Sequence, residues 1–215
     1  MPPATAAMKV EKRQSHWEKV YTRKGEDEVS WFQENPAPSL EFIAQAGATA
    51  ASSIVDIGGG ASRLVDELLE KGFRAIAVLD LSETALATAK KRLGERASLV
   101  RWIVADVTTW RPEAAAYDVW HDRATFHFLI NESDRAAYVQ RMFEAVKPGG
   151  HAIIATFALD GPERCSGLPV ARYDARTLGD TIGGAFDLVG TRRQVHTTPW
   201  ASEQQFQFSL FRRRG

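Results

Sequence analysis

The sequence holds a single cysteine, Cys165, among 215 residues. An intramolecular disulfide is thereby excluded, and the chain suits a reducing, cytoplasmic setting. No apolar run approaches the roughly 18 residues that a membrane helix needs, so no membrane partner is expected. Net charge is missing too: 27 Lys and Arg stand against 27 Asp and Glu. Nucleic-acid binders usually carry a basic face, so no nucleic-acid partner is expected, and Arg212-Arg213-Arg214 reads as a solvated end. The first residues, Met1 to Ala7, lack a basic start followed by an apolar stretch, and hence a secretory signal. Residues 1–13 read as a flexible tail. There is no internal repeat, low-complexity segment or dividing linker, so residues 1–215 are expected to form one domain, an ordinary size for one.

What is present is an alternation. From residue 53 onward, apolar runs of strand length alternate with amphipathic stretches of helix length. Strands are expected at Ser53–Ile57, Arg74–Leu79, Leu99–Ala105, Tyr117–His121 and His151–Phe157. A helix is expected over 61–71, with Leu64, Leu68 and Leu69 on one face and Gly72 as its stop. Ser82 caps a second that runs to about Gly94. Asn131 caps a third that runs to Val146, with Asp134 placed for a reciprocal cap, and Lys147-Pro148-Gly149-Gly150 breaks it. Asp174 to Ile182 is a further helix. This pattern predicts an α/β fold of three layers, a mostly parallel sheet between helices. Phe186–Val195 and Gln204–Phe211 have no helix between them and should pair antiparallel, with Phe206, Phe208 and Leu210 on one face. Together these runs predict a Rossmann-like, seven-stranded sheet closed by a C-terminal antiparallel hairpin.

The chemistry begins at Val55-Asp56-Ile57-Gly58-Gly59-Gly60-Ala61-Ser62, a strand, a glycine turn and a helix start. Glycines there let a ligand approach the backbone. The dinucleotide fingerprint needs a further glycine for helix packing, and that position holds Arg63. Asp80 lies about twenty residues on, at a strand end, where an acid binds ribose hydroxyls. Asp106 ends the next strand, placed to accept from an adenine amino group, with Val107 against the ring.

Asp56-Ile57-Gly58-Gly59-Gly60, Asp80-Leu81-Ser82, Ala105-Asp106-Val107 and Lys147-Pro148-Gly149-Gly150 resemble the successive motifs of class I methyltransferases dependent on S-adenosylmethionine (SAM). The resemblance implies SAM as cofactor, held by Asp56, Gly58, Gly60, Asp80, Leu81, Asp106 and Val107. Ser62 stands where the class often has its third loop glycine. Two stretches narrow the likeness. His16-Trp17-Glu18-Lys19-Val20-Tyr21 with Trp31-Phe32 is similar to the N-terminal helix of thiopurine methyltransferase and of the small lysine methyltransferases of elongation factor. By that likeness residues 14–48 form a helical cover over the cofactor, and Trp17, Tyr21 and Trp31 touch SAM. Aromatic faces suit a sulfonium; packing of Trp17 and Tyr21 on the core is the alternative. Val119-Trp120-His121-Asp122-Arg123-Ala124 looks like the stretch after the fourth strand in thiopurine methyltransferase, with Ala124 in place of a glycine.

This last stretch should form the floor of the site. The backbone near His121 is expected to meet the methionine ammonium, and Asp122 and Arg123 the methionine portion or the acceptor. Transfer from a sulfonium leaves a neutral thioether, so alignment and water exclusion do most of the work. Where a base is needed, the candidates are His121, Asp122 and His127. His121 and His127 are too few for a zinc site, and no metal is expected. The loop 161–172, with Cys165, and the segment 196–200 are expected to wall the acceptor. The reading that follows is methyl transfer to a small-molecule acceptor, at a thiol or other heteroatom. A protein-lysine methyltransferase is the alternative, and a SAM-binding protein without catalysis the second. Either a monomer or a homodimer is compatible with the sequence.

Overall fold

The computed structural model describes residues 4–215. Two helices, α1 (Ala4–Arg23) and α2 (Ala37–Gln45), precede the alternating part. There β1 (Ser53–Ile57), α3 (Leu64–Glu70), β2 (Ala75–Asp80), α4 (Glu83–Leu93) and β3 (Val100–Val104) follow in turn. Next come β4 (Tyr117–Arg123), α5 (Glu132–Ala145) and β5 (Val146–Phe157). A small hairpin, β6 (Arg164–Cys165) and β7 (Leu168–Pro169), leads to α6 (Ala175–Ile182), β8 (Phe186–Thr197) and β9 (Glu203–Arg213). The main sheet has seven strands in the order β3-β2-β1-β4-β5-β9-β8. All pairs are parallel up to β5, and β9 is antiparallel to both β5 and β8. This is the expected three-layer α/β arrangement with its closing hairpin.

Strands buried on both faces feed two cores by their period of two. Ile54, Val119, Ile153 and Leu210 face one cluster, which contains Phe42, Leu64, Leu68 and Phe208. Val55, Trp120, Ile154 and Phe211 face the other, with Tyr138, Met142 and Leu178. Phe206 and Phe208 lie with Leu210 in one cluster, as the shared face requires. Among the described residues no helix is long and apolar enough to cross a membrane.

Several local expectations need correction. Residues 1–3 of the expected tail lie outside the described residues, but from Ala4 the segment is helix, not tail. Alanine favours helix, and Lys9 and Arg13 reach Asp134, the latter at 3.6 Å. Asp134 is thus engaged by α1 rather than in a reciprocal cap, and Asn131 makes no side-chain cap bond. The helix expected over 61–71 starts only at Leu64, because Ser62 N–H still bonds back to Gly59 O at 2.8 Å in the glycine turn. The expected break at Lys147–Gly150 belongs to β5. A register shift between Tyr117 and Val119 absorbs it, and Lys147 Nζ donates to both Asp118 oxygens at 2.9 Å. The capping box at Asp174 closes with Thr177.

The end of β4 is held by a buried chain of hydrogen bonds. Trp120 Nε1–H donates to Tyr138 Oη at 2.8 Å, and Tyr138 O–H donates to Asp122 Oδ2 at 2.7 Å. Thr125 N–H donates to Asp122 Oδ1 at 2.9 Å and Phe126 N–H to Oδ2 at 3.1 Å. Removing a hydroxyl from such a chain leaves buried groups unpaired. Tyr138→Phe should therefore lower stability by about 1–3 kcal/mol, read as a lower urea midpoint at unchanged slope. An unchanged midpoint would show that this chain does not hold the strand end.

Candidate functional site

The carboxyl ends of β1, β2, β3 and β4 converge on one side of the sheet, where open α/β sheets bind their ligands. The glycine turn after β1 is tied to β2, because Gly58 N–H and Gly59 N–H both donate to Leu79 O, at 2.7 and 3.2 Å. Gly58 has φ 66° and Gly60 φ 46°, a region that side chains avoid. Space demands glycine as well. A Cβ on Gly58 would stand 1.8 Å from Thr125 Oγ1, and one on Gly60 would stand 2.9 Å from Tyr21 Oη and 3.0 Å from Asp80 Oδ2. The backbone of this turn therefore lies against β4's turn on one side and against Tyr21 and Asp80 on the other.

A cavity opens beside this turn. Its acidic wall is Asp80 and Asp106, with Leu81 and Val107 beside them. Asp80 Oδ1 accepts from Ser82 N–H at 2.8 Å. Burial pushes the Asp80 carboxyl up to about 7, and the nearby charges of Asp56 and Glu18 add to this against hydrogen bonds from Ser82 and Leu81. Asp106 Oδ1 accepts from Thr108 N–H at 2.8 Å and Thr108 O–H at 2.7 Å, while Arg13 Nη2 lies 2.8 Å from Oδ2.

The opposite wall is aromatic. Trp17 meets Trp31 edge-on at 5.7 Å and Phe128 at 5.0 Å. Trp31 Nε1–H donates to Tyr21 Oη at 3.2 Å. Arg123 and Cys165 complete this wall. Asp56 and His121 stand off the cavity, on an adjoining cleft that shares Gly58 and Arg123 with it. His121 Nδ1–H points at Asp56 Oδ1 at 2.7 Å, and its Nε2 lies 2.8 Å from Ser39 Oγ. Gly60 borders the cavity only through Tyr21 and Asp80.

Asp122 and His127, expected beside Arg123 as catalytic side chains, line neither the cavity nor the cleft. Asp122 is fully buried, and its oxygens are taken by Tyr138 and the turn backbone. His127 is fully buried as well. Its Nδ1 accepts from Phe157 N–H at 3.3 Å, and desolvation with the Arg123 charge lowers its pKa to about 3. Strand alternation explains Asp122, which shares the face of Trp120 rather than that of Arg123. Conversely, Arg13, Phe128 and Thr125 line the cavity without having been anticipated. Arg13 carried no signal, because the acids that hold it, Asp106 and Asp134, are distant in sequence. Ala124, where the resemblance has glycine, adopts φ 69°, so the glycine-type backbone survives the substitution.

The Asp80 carboxyl sets a pH dependence for the ligand-free protein. Unfolded, an aspartate titrates near 4; folded, Asp80 titrates near 7. Below pH 4 both forms hold the proton and nothing is lost. Between pH 4 and 7 only the unfolded chain has released it, so folding stability falls across that range, on the order of 2–4 kcal/mol in total, and levels off above pH 7. Asp80→Asn should remove that loss. Its stability relative to the parent chain, measured in urea, should rise between pH 5 and pH 8; a constant difference would mean that Asp80 is not held up by burial.

A family model described as a methyltransferase domain matches residues 54–150. A trans-aconitate 2-methyltransferase of Variovorax paradoxus is 28% identical over 190 residues, which cover 80% of this chain and 67% of that protein. An N-terminal Xaa-Pro-Lys N-methyltransferase 1 of Mus musculus is 30% identical over 141 residues, covering 61% of this chain and 62% of its own length. Among solved structures, the N-methyltransferase NodS from Bradyrhizobium japonicum, in complex with S-adenosyl-L-homocysteine (SAH), superposes with a TM-score of 0.71 at 18% identity, over 92% of this chain and 98% of that one.

Proposed function

We propose that the chain is a class I SAM-dependent methyltransferase, a reading that its methyltransferase-domain match supports, and that it methylates a small molecule, at a thiol or another heteroatom nucleophile. The cavity walls fit the cofactor. Asp80 offers a buried oxygen beside Gly60 for a ribose diol, Asp106 an oxygen for an adenine amino group, and Gly58 and Gly60 a backbone with no room for side chains. When bound, SAM supplies an electrophilic methyl on a sulfonium. The chain's own residues then have three tasks. Asp80 and Asp106 hold the adenosine. Trp17, Tyr21 and Trp31 exclude water and present ring faces to positive charge. Arg123, Phe128 and Cys165 orient the acceptor.

The observation that carries the small-molecule reading is the acceptor wall. It is built of Trp17, Trp31 and Phe128 around the Arg123 cation. A guanidinium there repels a lysine ammonium, and α1 lies across the cavity through Trp17 and Tyr21. The name of the Variovorax relative, with its small acid, supports the same reading. The name of the mouse relative favours a protein lysine or N-terminus instead, and the aromatic wall would suit that acceptor; the cation is what opposes it.

Calorimetric titration tests the cofactor. SAM and SAH should bind in the low-micromolar range, NAD should not, and Asp80→Ala should weaken SAH at least tenfold, as loss of a bidentate acceptor of two hydroxyls requires. Preference for NAD would end the reading. With radiolabelled SAM, transfer to small thiols and carboxylic acids should exceed transfer to lysine and Xaa-Pro-Lys peptides. The reverse order would establish the protein-directed alternative.

A further inference from the structure

Arg123 occupies an unusual position for a cation. Its Nη1 donates to Trp31 O at 2.8 Å, and its guanidinium carbon sits 4.7 Å from the centre of the Phe206 ring. Nε and Nη2 are buried and have no hydrogen-bond partner. Among the described residues it forms no ion pair. Desolvation lowers its pKa to about 10, which still leaves it charged at neutral pH.

The groups around it do not neutralise it. Burial pushes the Cys165 thiol up to about 11. His196 is lowered to about 4 by desolvation and the Arg123 charge, and its Nε2–H donates to Ser30 O at 2.7 Å. His127 is neutral for the same reasons. Asp56 is the nearest acid to influence it, and Asp56 is already engaged with His121. A buried charge without a partner is costly, and two adjacent guanidinium N–H groups match a planar anion bidentately.

We propose that Arg123 is the acceptor's anchor: the methyl acceptor carries a small anionic group, a carboxylate or its equivalent, that pairs with the Arg123 guanidinium from the cavity side. The inference rests on the methyltransferase reading and narrows its substrate class. The carboxylate of SAM itself is the other source of the same chemistry. It is disfavoured because the cleft beside the glycine turn, where the methionine end would lie, already holds Asp56 and Glu26, and like charges oppose a further carboxylate there.

The test uses the full chain saturated with SAH, with benzoate as the anionic probe and benzamide as its neutral isostere. Trp17 and Trp31 line the cavity, so tryptophan fluorescence reports occupancy without turnover. Benzoate should bind at least tenfold more tightly than benzamide. R123Q should abolish that preference and shift the Kd for SAH by less than threefold, while R123K, which keeps charge but not the planar fork, should fall between. Equal binding of benzoate and benzamide, or binding of neither by a protein that still binds SAH, overturns the proposal. So does an R123Q protein that loses SAH affinity tenfold yet binds 5′-methylthioadenosine, which lacks the carboxylate, as well as the parent does; that result assigns the guanidinium to the cofactor. If R123Q does not fold, R123K decides, since an unchanged preference in it against an altered SAH affinity has the same meaning. Failure of the parent protein to bind SAH would instead remove the methyltransferase reading beneath the proposal.

Discussion

One buried carboxylate organises the site without lying in it. Asp122, at the end of β4, takes a hydroxyl from Tyr138 and two backbone N–H groups from the turn that follows. The turn is thereby fixed, and so is the direction of everything on it. Thr125 is brought against Gly58, with its O–H donating to Ile57 O at 3.2 Å. Ala124 accepts a positive φ, which costs about a kilocalorie per mole for a residue with a side chain and persists because both flanks are tied. Period-two alternation then places Trp120 and Asp122 toward Tyr138, and His121 and Arg123 toward α2 and Trp31. A side chain that looks acidic and reactive in sequence is spent on shape, and its neighbour is presented to the cavity.

The roof of the cavity depends on a second kind of force. Helix α1 has little apolar surface of its own, and it is held by charge at both ends. Lys9 and Arg13 meet Asp134, Arg13 meets Asp106, and Glu18 accepts from Glu83 N–H at 2.5 Å at the start of α4. An anion at a helix N-terminus is favourable, but partly exposed pairs contribute little each and weaken with salt. Trp17 and Tyr21 add the packing that the charges lack. The result is a cover held by contacts to elements that line the cavity, one of them at Asp106 itself. Occupancy of the cavity and seating of the cover therefore share residues.

Charge balance inside the cavity follows from burial more than from composition. Equal numbers of acids and bases in the chain conceal a local asymmetry. Asp80 and Asp106 line one wall and Arg123 the other, with Cys165 held neutral by burial. The cavity thus presents carboxylates and a guanidinium on separate walls.

The alternation of apolar runs and helical stretches was enough to read the three-layer sheet, its parallel strands and the closing hairpin, because strands buried on both faces must be apolar throughout. The placement of the glycine turn and of the acids Asp80 and Asp106 on one cavity was legible too, because position at a strand end is local information. The cover helix was legible only from residue 14, through its resemblance to other N-terminal helices; its start from Ala4 was not, since Lys9 and Arg13 are held there by residues distant in sequence. Nor was the division of labour along His121-Asp122-Arg123. Three neighbouring polar residues look equivalent in sequence, and only the pleat of β4, packed between Tyr138 on one face and α2 on the other, decides which one is buried in a turn, which is locked to Asp56 and which faces the cavity as an unpaired cation.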